Sequence, residues 1–140
     1  MKKIIFFIAI INLISCTKGD KETTTELIIE NNSGHSIEYT VYSNNGTIID
    51  SQAIENNNQK IYKYTDKGDM GLNFFPFKSA DSVVVIFDGT YSITHYKHNN
   101  IQNGSQKTIL DLNNWNKLKD GNRYFKYKYI FTENEFNEAN

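Results

Sequence analysis

The sequence contains very few of the residues that cross-link a small domain or give it a strong charge. It has a single cysteine, Cys16, so no disulfide bond can form within the chain and the fold must rest on packing. It has a single arginine, Arg123, and a formal net charge of -1, which leaves no basic stripe for binding phosphates. We therefore expect no nucleic acid partner. Aromatic residues make up 14% of the chain and suit a core without cross-links.

Motifs for catalysis and metal binding are also missing. The chain has no G-x-S-x-G segment, no glycine-rich phosphate loop and no H-E-x-x-H helix. His95 and His98 are three residues apart, which on a strand places them on opposite faces, so a metal site that includes a distant His35 is not expected. Asp66 and Asp69 only faintly approach the alternation of a calcium loop. We expect neither an enzyme nor a bound cofactor or metal.

The chain also has no long hydrophobic run, and the longest apolar stretch that it does have lies near its start. Two lysines precede the apolar residues 4–11, a run too short to span a bilayer core of about 30 Å as a helix. This pattern indicates the hydrophobic region of a signal peptide. The run closes in Leu13-Ile14-Ser15-Cys16, which resembles the lipobox of bacterial lipoproteins.

The lipobox resemblance implies cleavage before Cys16 and acylation of its thiol, so that the mature chain is held to the membrane by lipid. The alternative is an ordinary secretory signal in which Cys16 is incidental. By resemblance to the enterobacterial sorting rule, where an aspartate after the cysteine retains a lipoprotein in the inner membrane, Thr17 favours the outer membrane. The residues leave open which face of that membrane carries the protein.

The residues that follow the lipobox are polar and show no hydrophobic periodicity. Such a segment cannot bury apolar surface. We therefore expect a signal peptide at 1–15, a lipidated cysteine with a flexible tether at 16–26, and a single domain at 27–140. Removing the signal peptide takes away two of the 15 basic residues and none of the 16 acidic ones, so the formal net charge becomes -3.

Beyond the tether, hydrophobic residues alternate with a period of two. Ile37, Tyr39 and Val41 share one face of a predicted strand, and the polar residues between them take the other. Asn44-Asn45-Gly46 and Asp88-Gly89 supply the turn residues that favour hairpins. About eight short strands separated by Asn and Gly turns predict an all-β fold. We expect an antiparallel β-sandwich of immunoglobulin-like or transthyretin-like kind, with an up-and-down β-barrel as the alternative.

Two segments near the middle of the chain stand out. Residues 83–87 are apolar on both faces and mostly β-branched, which predicts a central buried strand. Phe74, Phe75 and Phe77 lie on both sides of a second predicted strand, in which Pro76 removes a backbone donor and so favours a sheet edge. If Phe75 and Phe77 face the core, Phe74 faces outward. We expect the domain itself to cover these side chains, and the alternative is an interaction edge at Phe74, Phe75 and Phe77.

The C-terminal third contains the most regular strand pattern. Phe125, Tyr127, Tyr129 and Phe131 share one face and are expected to enter the core, while the intervening lysines take the other face in water. Residues 132–135 have the spacing of a capping box and predict a short C-terminal helix through 139. Earlier, residues 108–110 predict a short strand, and residues 113–115 predict a turn or a single helical turn.

Several of these segments together resemble a known group of proteins. They are the turn sequence at 31–37, the Asp81-Ser82-Val83 entry into the apolar run, and the ending at 127–139. They resemble those of small lipoproteins from Bacteroidetes, flavobacterial in type. The resemblance covers nearly the whole mature chain and implies an envelope location and a β-rich fold. It implies no active residue.

Asp81-Ser82-Val83 also resembles the O-glycosylation motif of exported Bacteroidetes proteins, which makes Ser82 a candidate modification site; the alternative is a serine that merely begins a strand. For the whole protein, we expect a lipid-anchored, non-enzymatic binding module for a protein or glycan partner. The alternative is an envelope inhibitor, such as an immunity-type lipoprotein that blocks a toxin or a hydrolase.

Overall fold

Eight strands form two four-stranded sheets that pack face to face. A computed structural model describes residues 21–68, 71–97 and 107–139. The first sheet has the strand order β4-β1-β8-β7, and the second has the order β3-β2-β5-β6. The strands are β1 (Glu22–Asn32), β2 (Ile37–Tyr42), β3 (Ile48–Ile54), β4 (Gln59–Lys67), β5 (Ser82–Phe87), β6 (Tyr91–Tyr96), β7 (Asn116–Lys119) and β8 (Tyr124–Thr132).

The two sheets confirm the predicted all-β sandwich, and the strands of the described ranges do not close into a barrel. Five of the six strand pairings are antiparallel, and β1 and β8 pair in parallel. In that register Leu27 lies beside Tyr127 and Ile29 beside Tyr129, so the aromatic residues of β8 stand next to the aliphatic ones of β1. The parallel pairing is possible because β8 follows β1 after most of the chain rather than after a tight turn.

Alternation builds the core as predicted. Ile37, Tyr39 and Val41 are buried on β2, and Tyr127, Tyr129 and Phe131 are buried on β8. Because successive side chains of a strand point to opposite faces, each of these triplets contributes one continuous apolar row to the space between the sheets. The other buried core residues include Val83, Val85 and Phe87 from β5, Ile54, Ile93 and Trp115.

The hairpins follow the predicted turn chemistry. Asp88 and Gly89 both adopt positive φ angles, 47° and 68°, and the Thr90 N–H donates to the Phe87 carbonyl at 2.9 Å. Positive φ angles at both central residues are typical of a type I′ turn, whose twist matches that of paired strands. Gly46 also has a positive φ, 77°, and its N–H donates to the Ser43 carbonyl at 2.9 Å.

The outer face of the first sheet carries ion pairs. Lys126 contacts Glu26 at 3.1 Å, and Lys128 contacts Glu30 at 2.6 Å. Both lysines are therefore half-exposed rather than fully in water, although they lie on the predicted face. Between the pairs, Ile28 is only 5% exposed. The flanking lysine side chains can cover such a residue with their methylene groups while their charges reach solvent.

The predicted C-terminal helix is confirmed as α1 (Glu133–Ala139). The Thr132 N–H donates to the Glu135 carboxylate at 3.0 Å, as expected of a capping box, and the Thr132 hydroxyl contacts the same oxygen. Lys107 Nζ holds the other Glu135 oxygen at 3.2 Å. Burial would raise the pKa of Glu135, but the bonds from Thr132 and the charge of Lys107 outweigh it and lower the pKa. The helix is thus fastened to β8 at its first turn.

Four details of the sequence prediction were wrong. Glu22–Glu26, assigned to the tether, lie in β1, where Thr23 and Thr25 are buried. Residues 108–110 form a turn instead of a strand. The strand at 83–87 is fully buried on one face only, since Val84 and Ile86 are half-buried on the other. Finally, residues 74–77 form a turn that leads into a 3-10 helix, Phe77–Ser79, instead of an edge strand.

The two ends of the sandwich can be distinguished by the direction of β1. We call the end where β1, β3, β5 and β8 begin the proximal end, because it is the one that the N-terminal residues enter. We call the end where β1 finishes, and where α1 lies, the distal end.

Within the ranges given above, no helix is long and apolar enough to cross a bilayer.

A candidate binding site at an aromatic edge

The segment with three phenylalanines connects the two sheets, and its side chains divide differently from the prediction. Phe77 is 1% exposed and packs edge-on against Tyr62, with ring centroids 6.1 Å apart. Phe74 is half-buried against Trp115, at 5.5 Å between centroids. Phe75 points outward and is 44% exposed. The outward residue is therefore Phe75, and Phe74 belongs to the cover of the core.

Hydrogen bonds hold this connection in place. The Asn73 N–H donates to the Thr25 hydroxyl at 3.0 Å, and the Asn73 side-chain amide donates to Asp66 at 3.1 Å. The Asn73 side-chain oxygen in turn accepts from the Phe75 N–H at 3.0 Å. These contacts tie the connection to β1 and β4, so Phe75 is presented from a fastened backbone.

Phe75 continues a row of aromatic rings along β4. Its ring meets Tyr64 edge-on, with centroids 5.9 Å apart and planes at 86°. Tyr64 and Tyr62 are two residues apart on the strand, and their rings are nearly parallel, with 6.4 Å between centroids and 9° between planes. Lys60 lies on the same face of β4, two residues before Tyr62, and its Nζ is 5.6 Å from the Tyr62 ring centroid. This row lies where the sandwich is open, because β4 is an edge strand.

Polar groups from the opposite sheet complete the row. The Tyr62 hydroxyl donates to Asp50 on β3, so the Tyr39 hydroxyl, 2.6 Å away, donates to Tyr62. The Gln52 side-chain amide donates to the other Asp50 oxygen at 2.9 Å. We define the aromatic edge as the half-exposed or exposed side chains of this row and its polar border: Asp50, Gln52, Lys60, Tyr62, Tyr64 and Phe75.

The electrostatics of the aromatic edge keep its phenols protonated. Burial and the negative charge of Asp50 raise the pKa of Tyr64 to about 12. Burial, together with Tyr39 and Asp50, raises the pKa of Tyr62 above its usual range. A phenol that stays protonated is a hydrogen-bond donor and a flat apolar surface rather than a nucleophile. This set of groups is therefore suited to binding.

One shallow depression lies beside the aromatic edge. It has a volume of about 210 Å³ and is lined by Asp66, Gly71, Leu72, Asn73 and Lys78. Pockets that enclose small molecules usually have about 300–1,000 Å³. An extended or flat ligand that lies across the surface fits this edge better than an enclosed one.

The two described histidines, His35 and His95, are held by contacts within the fold. His35 Nδ1 contacts Asp88 at 2.6 Å, and its ring stacks on Phe136 at 3.6 Å between centroids. His95 is completely buried, and its Nδ1 accepts from the Ile109 N–H at 3.1 Å. His98 and Asp69 lie outside the described residues. In the part of the chain that the structure describes, no group of three or more His, Cys, Asp or Glu side chains is placed to hold a metal ion.

The remaining predicted site residues have separate positions. Ser82 begins β5 and lies between Tyr42 on β2 and Tyr96 on β6. Its side chain is half-buried and shares the outer face of the second sheet with Val84 and Ile86. Modification of Ser82 remains a prediction. Cys16 lies outside the described residues, and so its lipidation also remains a prediction.

Sequence reasoning named the phenylalanine segment but missed the partners that border it. Tyr62 and Tyr64 had the spacing of two residues that places side chains on one face, and this signal could have marked them. The contribution of Asp50 and Gln52 could not be found in this way, because it depends on how β3 lies across from β4.

Comparison of the chain with protein-family models, with curated proteins and with solved structures finds no match.

Proposed function

We propose that this protein is a lipid-anchored envelope lipoprotein whose sandwich is a non-enzymatic binding module, with the aromatic edge as its contact surface. The observation that carries the proposal is the exposed ring of Phe75, held by hydrogen bonds at the end of a row of tyrosines with polar neighbours. A ring that could pack inward, as Phe74 and Phe77 do, is instead presented to solvent. Exposed aromatic side chains with fixed backbones are typical contact residues.

The ligand class follows from the same groups. Parallel phenol rings offer flat apolar faces, while Asp50, Gln52 and Lys60 offer an acceptor, an amide and a cation beside them. A sugar ring or an extended peptide presents this combination of an apolar face and polar groups. The partner is therefore a glycan or a protein, and binding requires no cofactor or metal. A toxin or hydrolase as the protein partner would make this chain an envelope inhibitor.

The anchor is tested by replacing Cys16 with serine. We expect the Cys16→Ser protein to be exported and recovered in the soluble fraction, because the thiol that accepts the lipid is gone. The measurement is fractionation of cells into membrane and soluble proteins in high salt, which releases a protein held to membranes by charge alone, with the native chain as the control. Recovery of the variant with the membranes, in the same proportion as the native chain, would contradict the anchor.

The binding edge is tested by a matched pair of substitutions one residue apart. Phe75→Asp should leave the melting temperature within a few degrees, because this ring is 44% exposed, and should abolish binding. Phe74→Asp should lower the melting temperature strongly, because it places a charge against Trp115 and Phe77. Thermal unfolding and binding to a glycan array or envelope extract measure both effects. Unchanged binding by folded Phe75→Asp would count against this edge.

A further inference from the structure

The charges of the sandwich are unevenly distributed between its two ends. Among the described residues, the proximal end carries more basic than acidic side chains, once Lys117 and Asp120 are set aside as a pair 2.7 Å apart. The basic ones are Lys21, Lys67, Lys78, Lys97, Lys119 and Arg123, and the acidic ones are Glu22, Asp66 and Asp81. One of these carboxylates, Asp66, is already engaged by Asn73.

The distal end has the opposite sign. Glu55, Asp88, Glu133 and Glu138 are exposed there, beyond the ends of β3, β5 and β8, and the half-buried Lys60 near the start of β4 only partly offsets them. Asp88 is bordered by His35, which is half-exposed. The described part of the domain therefore has an electrical polarity along its strands, although the net charge of the chain after the signal peptide is only -3. An anionic surface would attract one end of this domain and repel the other.

Arg123 fixes the geometry of the proximal end. Its guanidinium Nη1 donates to the Lys21 carbonyl at 3.2 Å and to the Gly68 carbonyl at 2.8 Å. The start of β1, the end of β4 and the start of β8 are thus joined by one side chain. Lys97 Nζ donates to the Lys78 carbonyl at 3.1 Å, which joins the two connections of the second sheet at the same end.

Exposed apolar side chains lie beside these charges. Ile48, the first residue of β3, is 58% exposed, and Leu118 on β7 is 51% exposed. Basic residues interspersed with single apolar side chains are the pattern of surfaces that contact lipid headgroups. The bilayer attracts the lysines through its anionic headgroups, and the apolar side chains enter the headgroup region.

The lipid anchor places this end next to the membrane. Since β1 begins at Glu22, only residues 17–21 separate it from Cys16, and n extended residues span at most about 3.3–3.6 Å each, or roughly 20 Å for this stretch. That is short compared with the tether of 16–26 expected from the sequence. We propose that the proximal end docks on an anionic lipid surface and orients the domain, with the acidic distal end directed away. This inference rests on the lipid anchor of the proposed function.

The test uses the mature chain with Cys16→Ser, so that any lipid binding comes from the domain. We expect it to sediment with vesicles of phosphatidylglycerol and phosphatidylcholine but not with phosphatidylcholine alone, and to be released by salt. Each lysine near an anionic surface contributes about fivefold to partitioning. Lys67→Gln combined with Lys119→Gln should therefore lower the partition coefficient by about 25-fold.

A control of equal charge change separates local from overall electrostatics. Lys60→Gln combined with Lys63→Gln removes two charges from β4 away from the proximal end, and we expect partitioning within about twofold of the starting chain. An equal loss in both double variants would overturn the proposal, since only net charge would then matter. Absence of any binding to anionic vesicles would also overturn the proposal. Binding to polyglutamate without binding to vesicles would overturn it too, because the partner of this end would then be an acidic protein. None of these outcomes bears on whether Cys16 is acylated, which fractionation decides separately.

Discussion

Lowering the pH from 7 to 4 should reduce the free energy of unfolding by about 3 kcal/mol through His95 alone. Burial lowers the pKa of His95 from 6.5 to about 4. The neutral ring is therefore the form that the fold accommodates, while the unfolded chain gains a proton near pH 6.5. The contribution of His95 is complete above pH 6.5 and is lost as the pH falls towards 4, at about 1.36 kcal/mol for each pH unit.

The surroundings of His95 explain why the charged form is excluded. Nδ1 accepts from the Ile109 N–H, so the neutral ring carries its proton on Nε2, which is buried and has no hydrogen-bond partner in the described part of the chain. A second proton would have to sit on Nδ1 and would face the Ile109 N–H. The rings of Tyr129 and Phe131 pack edge-on against His95 and exclude water. The nearby charges, Glu135 and Lys107, act in opposite directions on its pKa.

Urea unfolding at a series of pH values measures this effect. His95→Asn keeps an acceptor near the position of Nδ1 but cannot titrate, so we expect a lower stability at pH 7 and no slope from this site between pH 6.5 and 4. His35→Asn, at a half-exposed histidine, should retain the slope of His95. A flat stability profile in the native chain, or an unchanged slope in His95→Asn, would contradict the assignment. Below this range, protonation of the Glu135 carboxylate further lowers the free energy of unfolding, since the pKa of Glu135 is lowered in the fold.

Replacing Tyr129 with alanine should cost about 3–5 kcal/mol of unfolding free energy. Tyr129 is fully buried, and its ring packs against Trp115 at 5.5 Å and Phe131 at 5.1 Å between centroids. Lys107 Nζ lies 4.4 Å from the same ring centroid. Removing the ring opens a cavity at the point where β8 meets both the indole and α1. In a domain with no disulfide, this loss approaches the lower end of the expected stability of about 5–15 kcal/mol.

Tyr129→Phe is the matched control for this experiment. The buried Tyr129 hydroxyl lies near the Glu135 carboxylate but makes no hydrogen bond of normal length within the described residues, so its removal should change stability by less than about 1 kcal/mol. Denaturant midpoints of the two variants measure the difference. Equal losses in Tyr129→Ala and Tyr129→Phe would show that the hydroxyl, rather than ring burial, is the stabilising group.

Local pattern was sufficient to predict the strands that have one buried face. The alternation in β2 and β8 placed Tyr39, Tyr127 and Tyr129 inside, and the structure confirms all three. The turns at 44–46 and 88–89 and the capping box at 132–135 were also readable, because each depends on residues a few positions apart. These features are specified by short-range chemistry.

The errors arose where distant segments decide the structure. Thr23 and Thr25 look like tether residues, but pairing of β1 with β4 and β8 draws them into the sheet and buries them. Phe74 and Phe75 were assigned to faces by strand alternation, which does not apply to a turn. The opposition of Asp50 and Tyr62 depends on how the two sheets stack, and hydrophobic periodicity contains no information about that.

These corrections also change how the protein is expected to sit at the membrane. A β1 that starts at Glu22 shortens the expected tether and brings the proximal end close to the proposed anchor. The aromatic edge runs along the side of the sandwich, on β4 and the connection that follows it. A partner could therefore reach Phe75 while the proximal end rests on lipid.

The central claim is that the aromatic edge contacts a partner in the cell envelope, and site-specific photocrosslinking tests it most directly. A benzoylphenylalanine at position 75 replaces one exposed aromatic side chain with another, and the same group at Ile61, which is 47% exposed on the outer face of β4, serves as the control. After irradiation of living cells, we expect a discrete adduct from position 75 and none from position 61. No adduct from position 75, or the same adducts from both positions, would contradict the account.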